Sequence, residues 1–186
     1  MSLLPKILEY NKAFVESKEY IQYQTTKYPD KKMVILSCMD TRLQDMLPKA
    51  MNVKNGDTKI IKNAGAIVSH PFGSIMRSIL IAVYELEADE VYVVGHHDCG
   101  MSNLNASSIL EKTKAHGISD ETVDLLTHAG IDLETWLKGF DSVEDSIENS
   151  VHMIKEHPLF SSDIPVHGLV IDPGTGKLDI VVDGSL

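Results

Sequence analysis

The sequence predicts an α/β fold: a mostly parallel central sheet, about four parallel strands plus an antiparallel edge strand, flanked by helices, with an N-terminal helical arm. Three observations predict it. Short apolar runs alternate with stretches of helical spacing. The runs lack the polar alternation of a half-exposed strand, so both their faces are buried. Near the end, Asp172-Pro173-Gly174-Thr175-Gly176 separates two apolar stretches as a hairpin turn does. With 186 residues, 43% of them hydrophobic, the chain fits a single domain over residues 1–186 with its own core.

The elements follow in order. Residues 1–28 form a helical arm in two segments broken around Ser17-Lys18, with Leu4, Ile7, Leu8 and Phe14 at helical spacing. Such an arm has little core of its own to cover, which points to packing on a partner subunit. Lys32-Met33-Val34-Ile35-Leu36-Ser37 is a buried strand, and Thr58-Lys59-Ile60-Ile61-Lys62 a second, entered through Asn55-Gly56-Asp57. Pro71 suits a first helical turn, so a helix is predicted from there to about Glu87, with Ile75, Ile79, Leu80, Val83 and Leu86 inward. Glu90-Val91-Tyr92-Val93-Val94 is the third strand. The chain from Asn103 to Glu156 reads as helices broken at Gly117, Gly130 and Gly139. The closing hairpin runs from Pro165 to Val182.

Seventeen basic against 27 acidic residues give a net charge of -10, which disfavours nucleic acid and anionic membranes. No signal-peptide pattern opens the sequence, and no apolar stretch approaches the roughly 18 residues of a membrane helix. The expectation is a soluble cytoplasmic protein. Its two cysteines, Cys38 and Cys99, are then buried thiols, metal ligands or catalytic groups rather than a structural disulfide. Composition alone favours buried thiols.

Position overturns that. The first strand runs into Ser37-Cys38-Met39-Asp40-Thr41-Arg42, and the third into Gly95-His96-His97-Asp98-Cys99-Gly100. Sites in open α/β sheets form outside the carboxyl ends of strands, and both cysteines fall there. Zinc binds thiolate and imidazole, and a catalytic site keeps three protein ligands with one position open. His96 and Cys99, three apart in a turn, can close on one ion, with Cys38 from the neighbouring strand as third metal ligand. Asp40 is the candidate catalytic carboxylate beside the metal, and Arg42 can grip it through a fork of donors. Asp98 reads as a cap for the following helix. His70 reads as a turn residue, and the acidic run from Asp141 to Glu148 as a solvated helix face.

Cys38-Met39-Asp40-Thr41-Arg42, Asn63-Ala64-Gly65 and Gly95-His96-His97-Asp98-Cys99-Gly100 together resemble the signature of the β-class carbonic anhydrases, and the short length resembles their compact prokaryotic branch. The resemblance implies one Cys2His zinc (Zn2+) per subunit with a water in the fourth position and an Asp40–Arg42 dyad. It implies reversible hydration of CO2 to bicarbonate and a proton, in a homodimer or higher homo-oligomer with sites near the subunit interface. Family members often place a Gln donor before the second strand; Lys54 stands at that point here, leaving substrate positioning to backbone amides around Gly65. Two other readings share the metal: hydrolysis of an analogue such as COS or CS2, and a zinc-stabilised module without turnover. The Asp40–Arg42 pair argues against the last, because a closed structural site needs no oriented water.

Overall fold

The computed structural model describes residues 2–185; Met1, the first residue of the predicted arm, and Leu186 lie outside them. Its centre is a five-stranded sheet of order β2-β1-β3-β4-β5. The strands are β1 (Met33–Cys38), β2 (Thr58–Asn63), β3 (Glu90–His96), β4 (Val166–Ile171) and β5 (Leu178–Val182). β1 pairs in parallel with β2 and β3, β3 pairs in parallel with β4, and β5 returns antiparallel beside β4. This is the predicted architecture. β1 shows why its residues make a central strand: every residue from Val34 to Cys38 is buried, as a strand covered on both faces requires.

One face carries Val34, Leu36, Val91 and Val93 against α3 (Ser74–Tyr84) and α7 (Val143–Lys155). The other carries Ile35, Val94 and Ile171 against Leu43 and Leu47 of α2 (Leu43–Ala50). Cys38 and Cys99 belong to this second cluster. Between β3 and α7 the chain makes an excursion through α4 (Ala106–Ala115), α5 (Asp120–His128) and α6 (Leu133–Leu137). Asn105, Ser119, Asp132 and Ser142 begin these three helices and α7, each side chain accepting a backbone N–H three residues on. Asp141, Glu144, Asp145 and Glu148 lie exposed, as predicted.

The arm forms α1 (Leu4–Glu16) and a short 3-10 turn over Glu19–Tyr23, the break falling at Lys18 in left-handed conformation. α1 buries none of its residues in its own chain. Among the described residues no helix is long and apolar enough to cross a membrane.

α3 departs from the prediction at both ends. Pro71 lies in a preceding turn, where the Gly73 N–H donates to the His70 carbonyl and the Phe72 N–H to His70 Nδ1, each at 3.0 Å. His70 is thus the turn residue it was predicted to be. At the other end the Leu86 N–H reaches back to the Ile81 carbonyl and Glu87 takes a φ of 60°, so the winding stops near Tyr84. The buried face is Met76, Ile79, Ala82 and Val83; Ile75, Leu80 and Leu86 are only half-buried.

The last strand residues before the third-strand loop are set by α7. A Cβ on Gly95 would stand 2.8 Å from both Ile147 Cδ1 and Val143 Cγ2, so only glycine lets the helix lie this close to β3. Ile147 is 1% exposed and has nowhere to move. Gly95→Ala is therefore expected to destabilise the fold by about 1–3 kcal/mol through overpacking. Thermal unfolding checks this as a melting temperature several degrees lower.

Candidate metal centre

Parallel pairing delivers the ends of β1 and β3 to one edge of the sheet, with Ser37 opposite Val94. Cys38 is the last residue of β1, and His96 the last of β3. Three residues on, Cys99 turns back so that its sulfur lies 3.8 Å from that of Cys38. One ligand atom each from Cys38, His96 and Cys99 falls within 4.8 Å of the others, and all three residues are buried. The structure brings together the three residues singled out in the sequence.

The imidazole shows how this cluster is built to be used. His96 Nδ1 lies 2.8 Å from the His97 carbonyl, so it carries the proton and donates there. Nε2 is left free to face the sulfurs, and this fully buried atom has no hydrogen-bond partner. A histidine that ligates a metal commonly fixes its orientation in this way, through its other ring N–H. A buried polar atom without a partner costs free energy unless something fills the place. Two sulfurs and one imidazole nitrogen suit a zinc ion with one position left open.

The protonation pattern follows from crowding. The hydrogen bond from Cys99 lowers the Cys38 thiol, burial opposing it and His96 assisting. Conversely, the hydrogen bond to Cys38 and then burial push the Cys99 thiol up. His96 is also raised, first by the neighbouring Cys38 sulfur, with burial opposing. Without a metal, then, the proton of the sulfur pair rests on Cys99 rather than on Cys38.

Asp40 stands beside the cluster, its Oδ2 3.7 Å from His96 Nε2. Arg42 holds it with a fork: Nε donates to Oδ1 at 3.0 Å and Nη2 to Oδ2 at 2.9 Å, while the Arg42 backbone N–H also donates to Oδ1. These bonds, the side-chain pair first, hold the carboxyl at about 2. It therefore stays ionised and acceptor-only across the neutral range. Asp98 does not cap a helix. It sits at a φ of 53°, its carboxylate accepts from Arg42 Nη1 at 2.8 Å, and the next helix begins only after Asn105.

Behind the ligands, Asn63 staples the loop after β2, donating from Nδ2 to the Ile67 carbonyl at 2.6 Å and accepting the Ile67 N–H on Oδ1. This shapes the turn Ala64–Ala66, where Gly65 takes a φ of 79° and its backbone N–H helps lower Cys38. A Cβ at Gly65 would meet Ile67, Met101 and Phe140 at 3.0–3.1 Å. These three side chains form an apolar collar that the sequence did not announce. Phe140 stands between a cleft of about 1040 Å³, walled also by Ala64, Ile67 and Met101, and a pocket of about 310 Å³ that reaches His96 and Cys99. Lys54 lies elsewhere in the chain, exposed ahead of β2 at the opposite end of the sheet. His97 is exposed.

Known proteins resemble this chain in sequence and in fold. Residues 33–178 match a family model described as carbonic anhydrase. YtiB of Bacillus subtilis (strain 168), named as a candidate carbonic anhydrase, is 65% identical over 184 residues, covering 99% of this chain and 98% of the relative. Beta-carbonic anhydrase 1 of Mycobacterium tuberculosis (strain ATCC 25618 / H37Rv) is 31% identical over 155 residues, 82% of this chain and 83% of the relative. The crystal structure of β-carbonic anhydrase isoform I from Trichomonas vaginalis superposes with a TM-score of 0.89 at 34% identity, covering 99% of this chain and all of that one.

Because Cys99 and His96 both hold protons more tightly than their ordinary values, metal must displace them. Loading is expected to release at least one proton per zinc near pH 7, that of Cys99, and affinity to fall as pH falls. Calorimetric titration of the metal-free protein in two buffers of different ionisation enthalpy measures that number. Equal heats in both buffers would contradict it.

Proposed function

The chain belongs to the β-class carbonic anhydrases, and on that footing we propose that it hydrates carbon dioxide reversibly to bicarbonate and a proton at one zinc ion held by Cys38, His96 and Cys99. The observation that carries this reading is the buried, unpartnered His96 Nε2 facing two sulfurs, with the Asp40 carboxylate 3.7 Å away. Zinc, when bound, supplies a Lewis acid that lowers the pKa of water towards neutrality.

The protein's own residues supply the rest. Ionised Asp40 can only accept, so it takes a hydrogen bond from the water-derived nucleophile and leaves that oxygen's lone pair aimed at the CO2 carbon. Arg42 keeps Asp40 ionised and fixes its plane. Ile67, Met101 and Phe140 give the side behind Gly65 an apolar surface suited to a nonpolar substrate. As thiolates, Cys38 and Cys99 bring two negative charges to the centre and mute its positive potential. Hydration is therefore expected to rise from pH 6 to 9.

The arm supports an assembly of at least two copies. Leu4, Ile7 and Leu8 are each 59% exposed on one stripe of α1, and the stripe needs a cover that its own chain does not give. We place that cover on a second copy, making the protein a homodimer or higher homo-oligomer. Two reduced, buried cysteines serving as ligands suit the reducing cytoplasm.

Stopped-flow CO2 hydration on metal-quantified protein tests the activity. Asp40→Asn is expected to keep its zinc and lose about 10–100-fold in turnover, the usual range for a group acting beside a metal. Cys38→Ala is expected to lose the zinc itself. No hydration with zinc fully bound would sink the reading, and turnover of carbon disulfide in its place would move it to the sulfur analogue. For the assembly, light scattering of Ile7→Asp/Leu8→Asp is expected to show a smaller particle than the wild type.

A further inference from the structure

Arg42 is held twice. Besides the fork on Asp40, its Nη1 donates to Asp98 Oδ2 at 2.8 Å and its Nη2 to the Asp98 backbone carbonyl at 2.8 Å. Asp98 is a member of the loop that carries His96 and Cys99, whereas Asp40 and Arg42 follow Cys38 on the neighbouring strand. The guanidinium is thus the bridge between the two loops that supply the ligands. The fork and the Arg42 backbone N–H hold Asp40 to its own loop, but none of these bonds reaches the loop of His96 and Cys99. The second pair of bonds ties them to the opposite loop.

We propose that Asp98 is a positioning residue, which clamps Arg42 from the His96–Cys99 loop and so holds the Asp40 carboxylate in register with the three ligands. The backbone is bent to allow it. Asp98 occupies the left-handed region at φ 53°, a conformation that aspartate and asparagine tolerate better than most residues. That bend puts both its carbonyl and its carboxylate on the guanidinium. Among the described residues the Asp98 carboxylate, 86% exposed, has its hydrogen bond and ion pair with Arg42. The inference rests on the reading of Cys38, His96 and Cys99 as the zinc ligands and of Asp40 as the aligning carboxylate.

Two variants separate side chain from backbone. Asp98→Gly accepts the positive φ and removes the carboxylate; Asp98→Asn keeps the φ preference and one acceptor oxygen for Nη1. The chain contains two arginines, Arg42 and Arg77, so modification by phenylglyoxal, followed by peptide mapping, reads Arg42 against an internal reference. In Asp98→Gly the Arg42 labelling rate, relative to Arg77, is expected to rise and the hydration kcat to fall. Each change should be about two- to fivefold, the scale of an exposed ion pair. KM and zinc content should stay unchanged, because aligning a nucleophile affects turnover rather than binding. Asp98→Asn should stay nearer the wild type in both readouts.

Unchanged labelling and kcat in Asp98→Gly would overturn the proposal. So would a fall in kcat accompanied by loss of zinc, which would make Asp98 a support of the ligand loop and not of Arg42. If the wild type hydrates no CO2, the functional reading fails alone, since the labelling arm needs no turnover and still decides whether the clamp exists.

Discussion

Two sulfurs and an imidazole nitrogen within 4.8 Å of one another, all buried, set the terms for everything around them. Thiols and imidazole in an apolar cluster beside Ile35, Leu43 and Val94 are costly unless their polar atoms find partners. Within the chain they find only part of what they need. His96 Nδ1 has the His97 carbonyl, and the sulfurs have each other, but Nε2 has nothing. Cys38, His96 and Cys99 could hold a divalent ion, which would give the free nitrogen a partner and compensate the two sulfurs as thiolates. Metal binding and local stability would thus be one quantity here. The residues that hold Cys38, His96 and Cys99 in place would, by the same argument, be what favours the ion.

The scaffold meets this demand through direction. In a parallel sheet every strand ends on the same edge, so residues far apart in sequence arrive side by side without a dedicated loop to carry them. Cys38 and His96 arrive in this way, on adjacent strands whose register is fixed by buried residues on both faces. A slip of one residue would turn Cys38 to the other face and take its sulfur out of the cluster. Gly95 completes the arrangement: it lets α7 press on β3 immediately before His96, so the imidazole leaves a strand with no lateral freedom. Rigidity of the core and precision of the site are one property, measured at two places.

What the sequence made legible follows the same line. Continuous apolar runs announce strands buried on both sides, so the sheet, its mainly parallel pairing and the antiparallel hairpin could be read directly. The meeting of Cys38, His96 and Cys99 was readable because parallel strands bring their carboxyl ends to one edge of the sheet. Interactions that depend on backbone bends were not. Nothing in the string His96-His97-Asp98-Cys99-Gly100 tells that Asp98 turns into left-handed conformation and meets Arg42; an aspartate there reads equally well as a helix cap. The collar of Ile67, Met101 and Phe140 was hidden for another reason. Its members come from three segments and look individually like ordinary core, and Phe140 reaches the site only because the excursion through α4, α5 and α6 closes back on Met101. Pro71 misled because proline suits a first helical turn and a tight turn alike; here the backbone N–H two residues later closes a turn on the His70 carbonyl.

Charge around the ligands gives the arrangement its direction. Two thiolates and the carboxylates of Asp40 and Asp98 face one guanidinium and, once loaded, one divalent ion, leaving a single net negative charge at the centre. The protein as a whole adds a net charge of -10. A neutral substrate such as carbon dioxide feels little of this, whereas an anionic product is disfavoured by it. The same negative surroundings that weaken the acidification of water therefore favour departure of bicarbonate. A centre with neutral histidine ligands has the opposite balance, a more acidic water and a stronger hold on anions. On the proposed reading, alignment of the nucleophile would come from geometry rather than from the ion's field, and the hydrogen bonds that converge on Arg42 and Asp40 are suited to supply it.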